Sequence, residues 1–162
     1  MGYTVFWATS SNTPIVHTQS QFKTLLRMFK MFETYYGMTI TIPPNKRKCD
    51  WFKVEGDCED FQFELNKASK FEFCKTQGGK YTTPLVTALI WLMLAHPDMS
   101  VTHDGETDDL FNEFFDKDLY KELSGTDPPS ANEILWLLLS REQQAKRHIE
   151  HENATASYAS AP

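Results

Sequence analysis

The stretch FQFELNKASKFEFCKTQGGKYTTPLVTALIWLMLA, residues 61–95, decides the fold class of this chain. Apolar and polar residues alternate in Phe61–Leu65 and again in Phe71–Lys75, which predicts two half-buried strands. Their closeness in sequence predicts a hairpin across Asn66–Lys70. The segment Pro84–Ala95 is apolar on nearly every side, which predicts a central helix. Adjacent strands next to a buried helix indicate an α+β fold rather than a regular parallel α/β sheet.

The flanking segments extend this pattern. Apolar residues at helical spacing predict a helix that begins near Thr18–Ser20 and ends at Gly37. Another helix is predicted from Thr107 to about Leu123, and Ser130 is predicted to cap a last helix. Four apolar segments predict further strands: Tyr3–Ala8, Met38–Ile42, Trp51–Val54 and Met99–Thr102. We therefore expect a small mixed or antiparallel sheet packed with about four helices.

Length and composition bound the domain organisation. A chain of 162 residues fits one domain and can bury a core without disulfides or metal ions. We predict a single globular domain over residues 1–140, the end of a helix over 141–152 and a disordered tail over 153–162, where small polar residues predominate. The apolar run Ile134–Leu139 predicts a helix face that is buried or that forms a homo-oligomer contact.

Location and cofactors follow from what the sequence lacks. The longest apolar runs fall short of the roughly 20 residues that a membrane span needs. The opening MGYTVFWATS has no basic segment before an apolar run, as a secretory signal would. Cys49, Cys58 and Cys74 lack the close spacing of a metal site or redox pair. We therefore expect a cytoplasmic protein with reduced thiols, no membrane partner, and neither metal nor cofactor.

Negative charge is concentrated in one segment. Residues 104–122 carry eight Asp and Glu against two Lys, a net charge of −6 that equals the net charge of the whole chain. Such a segment repels phosphate groups and attracts basic partners, although a solvated helix face gives the same pattern. As a binding surface its candidate residues are Asp104, Glu106, Asp108, Asp109, Glu113, Asp116 and Asp118.

A small enzyme is the alternative hypothesis. Histidine beside a carboxylate runs acid–base chemistry, and a thiol becomes a nucleophile when a base lowers its pKa. The candidate catalytic residues are Cys74, His96, His103 and Asp104. Histidine and aspartate at helix and turn boundaries also serve as ordinary caps. The sequence contains no complete catalytic motif, which favours binding over catalysis.

Weak binding of nucleic acid is a second alternative. Aromatic residues interleaved with basic ones are typical of proteins that bind single strands. The residues with this pattern are Lys46, Arg47, Lys48, Trp51 and Lys53. Packing in the core explains the aromatic residues equally well, so a protein partner is favoured over nucleic acid.

Three motifs in order carry a resemblance: Phe71-Glu-Phe-Cys-Lys-Thr76, Val86-Thr-Ala88 and Thr102-His-Asp-Gly105. Together they resemble short uncharacterised proteins of phage and bacterial genomes, over residues 50–120. The sequence departs from their pattern at Gln77–Lys80 and at His103. The resemblance implies provenance, a phage or mobile-element accessory factor, and carries no mechanism. We therefore expect a small interaction protein that binds and modulates a host macromolecule, first of all a host protein, through its acidic surface.

Overall fold

The chain forms six strands and five helices in the part that the structure, a computed structural model, describes: residues 3–9, 18–45, 47, 49–55, 58–65, 71–77, 79 and 81–160. In chain order the elements are β1 (Thr4–Thr9), α1 (Gln19–Tyr36), β2 (Thr39–Thr41), β3 (Trp51–Glu55), β4 (Phe61–Glu64), β5 (Phe71–Lys75), α2 (Thr82–Ala95), β6 (Met99–His103), α3 (Thr107–Phe114), α4 (Lys117–Ser124) and α5 (Ala131–Ser160). The strands form two antiparallel sheets, ordered β5-β1-β6 and β2-β3-β4. The α+β class is therefore confirmed.

The strands β4 and β5 do not form the hairpin that their alternation predicts. Strand β4 pairs with β3, with Phe63 opposite Phe52, and β5 pairs with β1, with Cys74 opposite Val5. The hairpin prediction is wrong because alternation specifies which face of a strand is buried, and not which neighbour completes the sheet. The predicted connection, residues 66–70, lies outside the described residues.

Helix α1 covers the core face of the second sheet. At its start, the Thr18 hydroxyl accepts the Gln21 N–H and the Gln21 side chain accepts the Thr18 N–H, at 3.1 and 3.0 Å. Gly37 ends the helix at φ 63°, in the left-handed region. Both predicted boundaries are confirmed. On the inner face the ring centroid of the buried Phe29 lies 5.4–5.8 Å from those of Phe52, Phe61 and Phe63.

Helix α2 is the centre of the molecule. Ten of its 14 residues are buried, and it contacts α1, α3, α4 and β6. It ends at His96, as predicted, because Pro97 disfavours helical backbone at the residue before it. A helix that is apolar all round has to be covered on every side, so the other layers are arranged around it. Among the described residues, no helix combines the length and apolar character needed to cross a membrane.

Tyr81, at the N-terminal end of α2, connects the two sheets. Its hydroxyl lies 3.2 Å from the carbonyl oxygen of Glu59, just before β4, and 3.0 Å from that of Lys75, at the end of β5. Its ring also stacks on Phe61, with the centroids 5.9 Å apart. Burial, together with the nearby Cys74, raises the pKa of Tyr81 to about 12, so the hydroxyl retains the proton that it donates.

The helix predicted from Thr107 to Leu123 is interrupted, and α3 and α4 take its place. A single hydroxyl on α2 binds the backbone between these two helices. Thr87 Oγ1 accepts the Asp116 N–H at 3.2 Å and donates to the Phe114 carbonyl at 3.4 Å. The single-helix prediction is wrong because this side chain satisfies two backbone groups that would otherwise require a continuous helix. The extra helix brings the described total to five, against the four or so expected.

Helix α5 is held at both its start and its middle. Ser130 caps it as predicted, because its hydroxyl accepts the Glu133 N–H at 3.3 Å. Further along, the Arg141 guanidinium donates to the carbonyl oxygens of His96 and Met99, at 2.8 and 3.0 Å. The helix then continues to Ser160, past residue 153, where the sequence predicts a disordered tail. Extension of a formed helix adds one hydrogen bond for each residue fixed, and alanine favours it most.

The aromatic cluster around Phe29 gives a first testable prediction. We expect Phe29→Ala to lower the free energy of unfolding by about 3–5 kcal/mol, because a large side chain leaves a cavity against three rings. Urea denaturation followed by circular dichroism measures the change. The control is Tyr35→Ala, on the same helix but 72% exposed, which should change stability by less than about 0.5 kcal/mol. Equal effects of the two substitutions would contradict this packing.

Candidate functional site

Cys74 and His103 lie in one row across the first sheet but do not meet. Each is opposite Val5, Cys74 on one side of β1 and His103 on the other. Strands lie about 4.8 Å apart, so the two backbones are separated by roughly 10 Å. Val5 is fully buried between them. A Cys–His pair needs contact at hydrogen-bond distance, which this row does not provide.

The Cys74 side chain has the surroundings of an inert thiol. It is 1% exposed and its sulfur lies 3.7 Å from the carbonyl oxygen of Glu59, to which the S–H donates. Burial, and next the carboxylate of Glu59, raise the pKa of Cys74 to about 12. Because the thiolate is the nucleophilic form, this cysteine lacks the activation that catalysis needs.

The His103 side chain stabilises the turn that precedes α3. Its Nδ1 accepts the Gly105 N–H at 3.1 Å, so Nε2 carries the proton that it donates to the carbonyl oxygen of Glu106. The ring also stacks on Tyr3, with the centroids 4.9 Å apart. A Cβ at Gly105 would come within 2.8 Å of this ring, which explains the glycine. Both ring nitrogens are therefore engaged with the backbone rather than with a reacting group.

The other two candidate catalytic residues also bind backbone. The Asp104 carboxylate accepts the Thr4 N–H at 3.0 Å and so closes the end of the first sheet. His96 lies beyond the opposite end of β6, where its Nδ1 accepts the Asp98 N–H at 3.2 Å. Since β6 alone spans roughly 13 Å, His96 and His103 are far apart. Among the residues that the structure describes, no three His, Cys, Asp or Glu side chains are grouped as metal ligands.

The nucleic-acid candidates are only partly described, because Lys46 and Lys48 lie outside the described residues. Trp51 and Lys53 project from the outer face of β3, while Phe52 between them is buried. Lys53 lies 4.0 Å from the carboxylate of Asp60. Lys53 therefore lies beside a negative side chain, unlike the basic residues of a groove that follows a phosphate backbone. Arg47 is exposed, before β3.

The acidic candidates fall into two sets, and the first set lies at the end of the first sheet and the start of α3. The Asp104 carboxylate closes the sheet end, while Glu106 is at the N-cap position of α3 without a capping hydrogen bond from its side chain. Asp108 and Asp109 occupy the first turn of α3, where a negative charge is stabilised by the helix dipole. These residues explain part of the acidic run without any ligand. The second set, formed by Glu113, Asp116 and Asp118, surrounds an open cavity.

This cavity, here called the acidic groove, lies where α3 passes into α4 and has a volume of about 850 Å³. Its lining comes from the end of α1, the start of α2, α3, α4 and the linker before α5: Tyr36, Thr83, Phe111, Asn112, Glu113, Phe114, Phe115, Asp116, Lys117, Asp118, Pro128, Pro129, Ser130 and Ala131. The rings of Phe111 and Phe115 stack at 5.0 Å and 18°. Lys117 is the one cation among these lining residues.

Two polar groups of the groove have fixed roles. Asp116 caps α4, because its Oδ1 accepts the N–H groups of Asp118 and Leu119 at 3.0 and 3.1 Å. Burial, and next the charge of Asp116, raise the pKa of Tyr36, so its phenol remains a hydrogen-bond donor. The groove thus combines flat aromatic walls with carboxylates and a phenol, which suits a cation carried on an apolar stem.

Sequence reasoning located the charges of the groove and missed its walls. Phe111 and Phe115 follow the helical spacing of core residues, and their partly buried positions beside the groove depend on the interruption at Asp116. Tyr36 is distant in sequence and joins the groove through the packing of α1. The pair Pro128–Pro129 was the available signal, because it marks a connecting segment, and binding residues lie disproportionately often on such segments.

Modification of the cysteines tests the assignment of Cys74. We expect iodoacetamide at pH 8 to modify the exposed Cys58 within minutes and Cys74 at least about 100-fold more slowly, since reaction needs the thiolate. Peptide mass spectrometry reads each site. Unfolding in guanidinium should remove the difference. Fast alkylation of Cys74 in the folded protein would contradict the assignment.

The raised pKa of Cys74 also makes stability depend on pH. The protonated thiol stabilises the fold below about pH 9.0, the ordinary pKa of a cysteine, and this contribution is lost as the pH rises towards 12.

The Thr87 hydroxyl gives a prediction for the groove itself. We expect Thr87→Val to lower the free energy of unfolding by about 1–3 kcal/mol, because it leaves the Asp116 N–H and the Phe114 carbonyl without their buried partner. Hydrogen exchange at the start of α4 should rise as well. The matched control is Thr83→Val, the same substitution at a half-buried position of the same helix, which should lower stability less. A larger effect at Thr83 than at Thr87 would argue against this anchoring role.

Among known proteins, no family model, no curated protein and no solved structure matches this chain.

Proposed function

We propose that this protein is an interaction module that binds a basic segment of a partner protein in the acidic groove. One observation carries the proposal: stacked aromatic rings and three carboxylates line the same cavity. Arginine and lysine side chains present an apolar stem and a cationic head, which match these two kinds of wall. The expected segment carries at least one such residue, with its stem against Phe111 or Phe115 and its head near Glu113 or Asp118.

The size of the groove fits this class of ligand. Sites for small ligands measure about 300–1,000 Å³, and the groove lies within this range. Lys117 opposes part of its negative charge, so the lining carries a net charge of −2 from three carboxylates and one ammonium. Attraction between such a surface and a basic segment raises the association rate and weakens as salt is added.

We propose a host protein as the partner, on the basis of the sequence resemblance. We propose the cytoplasm as the place of action, on the basis of the sequence composition. The enzyme hypothesis has less support, because Cys74, His96 and His103 are separated and their polar atoms bind backbone groups. The nucleic-acid hypothesis has less support as well, because Lys53 lies beside Asp60.

Peptide binding tests the proposal directly. We expect a fluorescein-labelled arginine-rich peptide to bind, with a dissociation constant that rises steeply with salt, while a glutamate-rich peptide does not. The double variant Glu113→Lys/Asp118→Lys should weaken binding at least about tenfold, since each change replaces attraction by repulsion. Fluorescence anisotropy measures both. Asp116 is left unchanged because it caps α4.

The matched control is Asp108→Lys/Glu122→Lys. It makes the same change in net charge on the same two helices, at exposed residues that do not line the groove. Asp108 and Asp118 both lie in the first turn of a helix, so both variants lose a similar interaction with the helix dipole. Equal loss of affinity in the two variants would show a general charge effect and would overturn the groove as the binding site.

A pull-down from bacterial lysate extends the test to a natural partner. The tagged protein should retain one dominant protein after nuclease treatment, and the Glu113→Lys/Asp118→Lys variant should lose it. The Asp108→Lys/Glu122→Lys variant should retain it. Enrichment of nucleic acid that nuclease abolishes would instead favour the nucleic-acid hypothesis.

A further inference from the structure

The apolar run Ile134–Leu139 is divided between two faces of α5. Ile134 and Leu138 are fully buried in the chain's own core, whereas Trp136 is 67% exposed and Leu139 is 41% exposed. Because Trp136 and Leu139 are three residues apart, they lie on the same outward face of the helix. Beside them, Asn132, Glu133, Trp136 and Leu137 line a depression of about 370 Å³.

On the outward face of α5, the exposed residues have the same spacing whether they are read from the N-terminus or from the C-terminus of the helix. Its exposed residues Asn132, Trp136, Leu139 and Gln143 are separated by four, three and four positions, which is the spacing of a coiled-coil seam. Turned about a two-fold axis, this sequence places tryptophan opposite leucine and asparagine opposite glutamine. Apolar side chains then meet apolar ones in the centre, with a pair of amides at either end.

We propose that this face of α5 binds the same face of a second copy of the chain, with the two helices antiparallel. Leu139 of each copy enters the depression beside Trp136 of the other, so the surface supplies both the projecting side chain and its recess. A contact of one patch with itself closes into a two-fold dimer. Tryptophan is among the residues most enriched in such interfaces.

Charge at the ends of the seam favours the antiparallel arrangement. In the register that joins Trp136 to Leu139, Lys146 and Arg147 lie level with residues 128–129 of the second copy, just before its α5 and next in sequence to Asp127. Asp127 lies 3.1 Å from Lys121 of its own chain but is 79% exposed. Lys146 lies 3.4 Å from Glu142 of its own helix, but it is 70% exposed and can turn at little cost. A parallel pair would instead place Lys146 against Lys146, whereas Glu133 lies level with a glutamate in either arrangement, with Glu133 in the parallel pair and with Glu142 in the antiparallel one.

Sedimentation of the full chain tests the dimer. Wild type should approach twice the 18.7 kDa chain mass as its concentration is raised about a hundredfold. Trp136→Glu should remain at the mass of one chain with unchanged helical content. Tyr35→Glu, a charge placed on an equally exposed aromatic residue of α1, should still dimerise. A wild type that stays monomeric, or a Trp136→Glu variant that dimerises like wild type, overturns the proposal.

Disulfide trapping tests the register. In a Cys49→Ser/Cys58→Ser background, Asn132→Cys and Gln143→Cys are prepared as separate proteins, mixed and oxidised with glutathione disulfide. The antiparallel seam predicts a cross-linked species that contains one of each, resolved by mass spectrometry. Asn132→Cys linked efficiently to itself shows a parallel pair and overturns the arrangement. Because the Glu113→Lys/Asp118→Lys variant should still dimerise, failure of the dimer and failure of the acidic groove are separate results.

Discussion

Helix α2 imposes the constraint on which the rest of the structure depends. Its surface is apolar on nearly every side, so leaving any side in water would expose a large hydrophobic area. Helices α1, α3 and α4 and strand β6 all contact it. Tyr81, at the start of α2, then ties both sheets to this centre through the carbonyl groups of Glu59 and Lys75. Two small sheets are thereby joined to a shared helix.

The acidic groove is a consequence of the same buried helix. Thr87 is one of the few polar side chains on α2, and burial obliges its hydroxyl to find partners. It finds them at Phe114 and Asp116, and the chain leaves helical geometry there. This interruption turns α4 away from α3 and opens the space that Phe111 and Phe115 border. A core hydroxyl thus determines where a surface cavity forms.

Local signals in the sequence predict the elements, and distant contacts decide their arrangement. The ends of α1 were predictable because Thr18 and Gly37 act through neighbours only a few residues away. The pairing of β5 with β1 was not, because it depends on the burial of Val5 and Cys74 together. For the same reason the sequence indicates which residues of the groove are acidic, but it gives no sign that Tyr36 faces them. Candidate residues close in sequence, such as His96 and His103, proved to be held apart by the strand between them.

Under the proposed function, one residue type in the acidic segment serves both stability and recognition. An aspartate at a helix start contributes about 1 kcal/mol to stability by capping the helix. In the proposed complex the same negative charge also attracts the basic ligand. Asp116 does both, since it caps α4 and lines the groove. Removal of its charge therefore changes the shape of the groove as well as its potential. Glu113 and Asp118 lie beside it on formed helical turns. Their charges contribute to the electrostatic potential of the groove and can be changed while the Asp116 cap is kept. A net charge concentrated in 19 residues is consistent with both uses, because helix starts and a cationic ligand require negative charge at the same place.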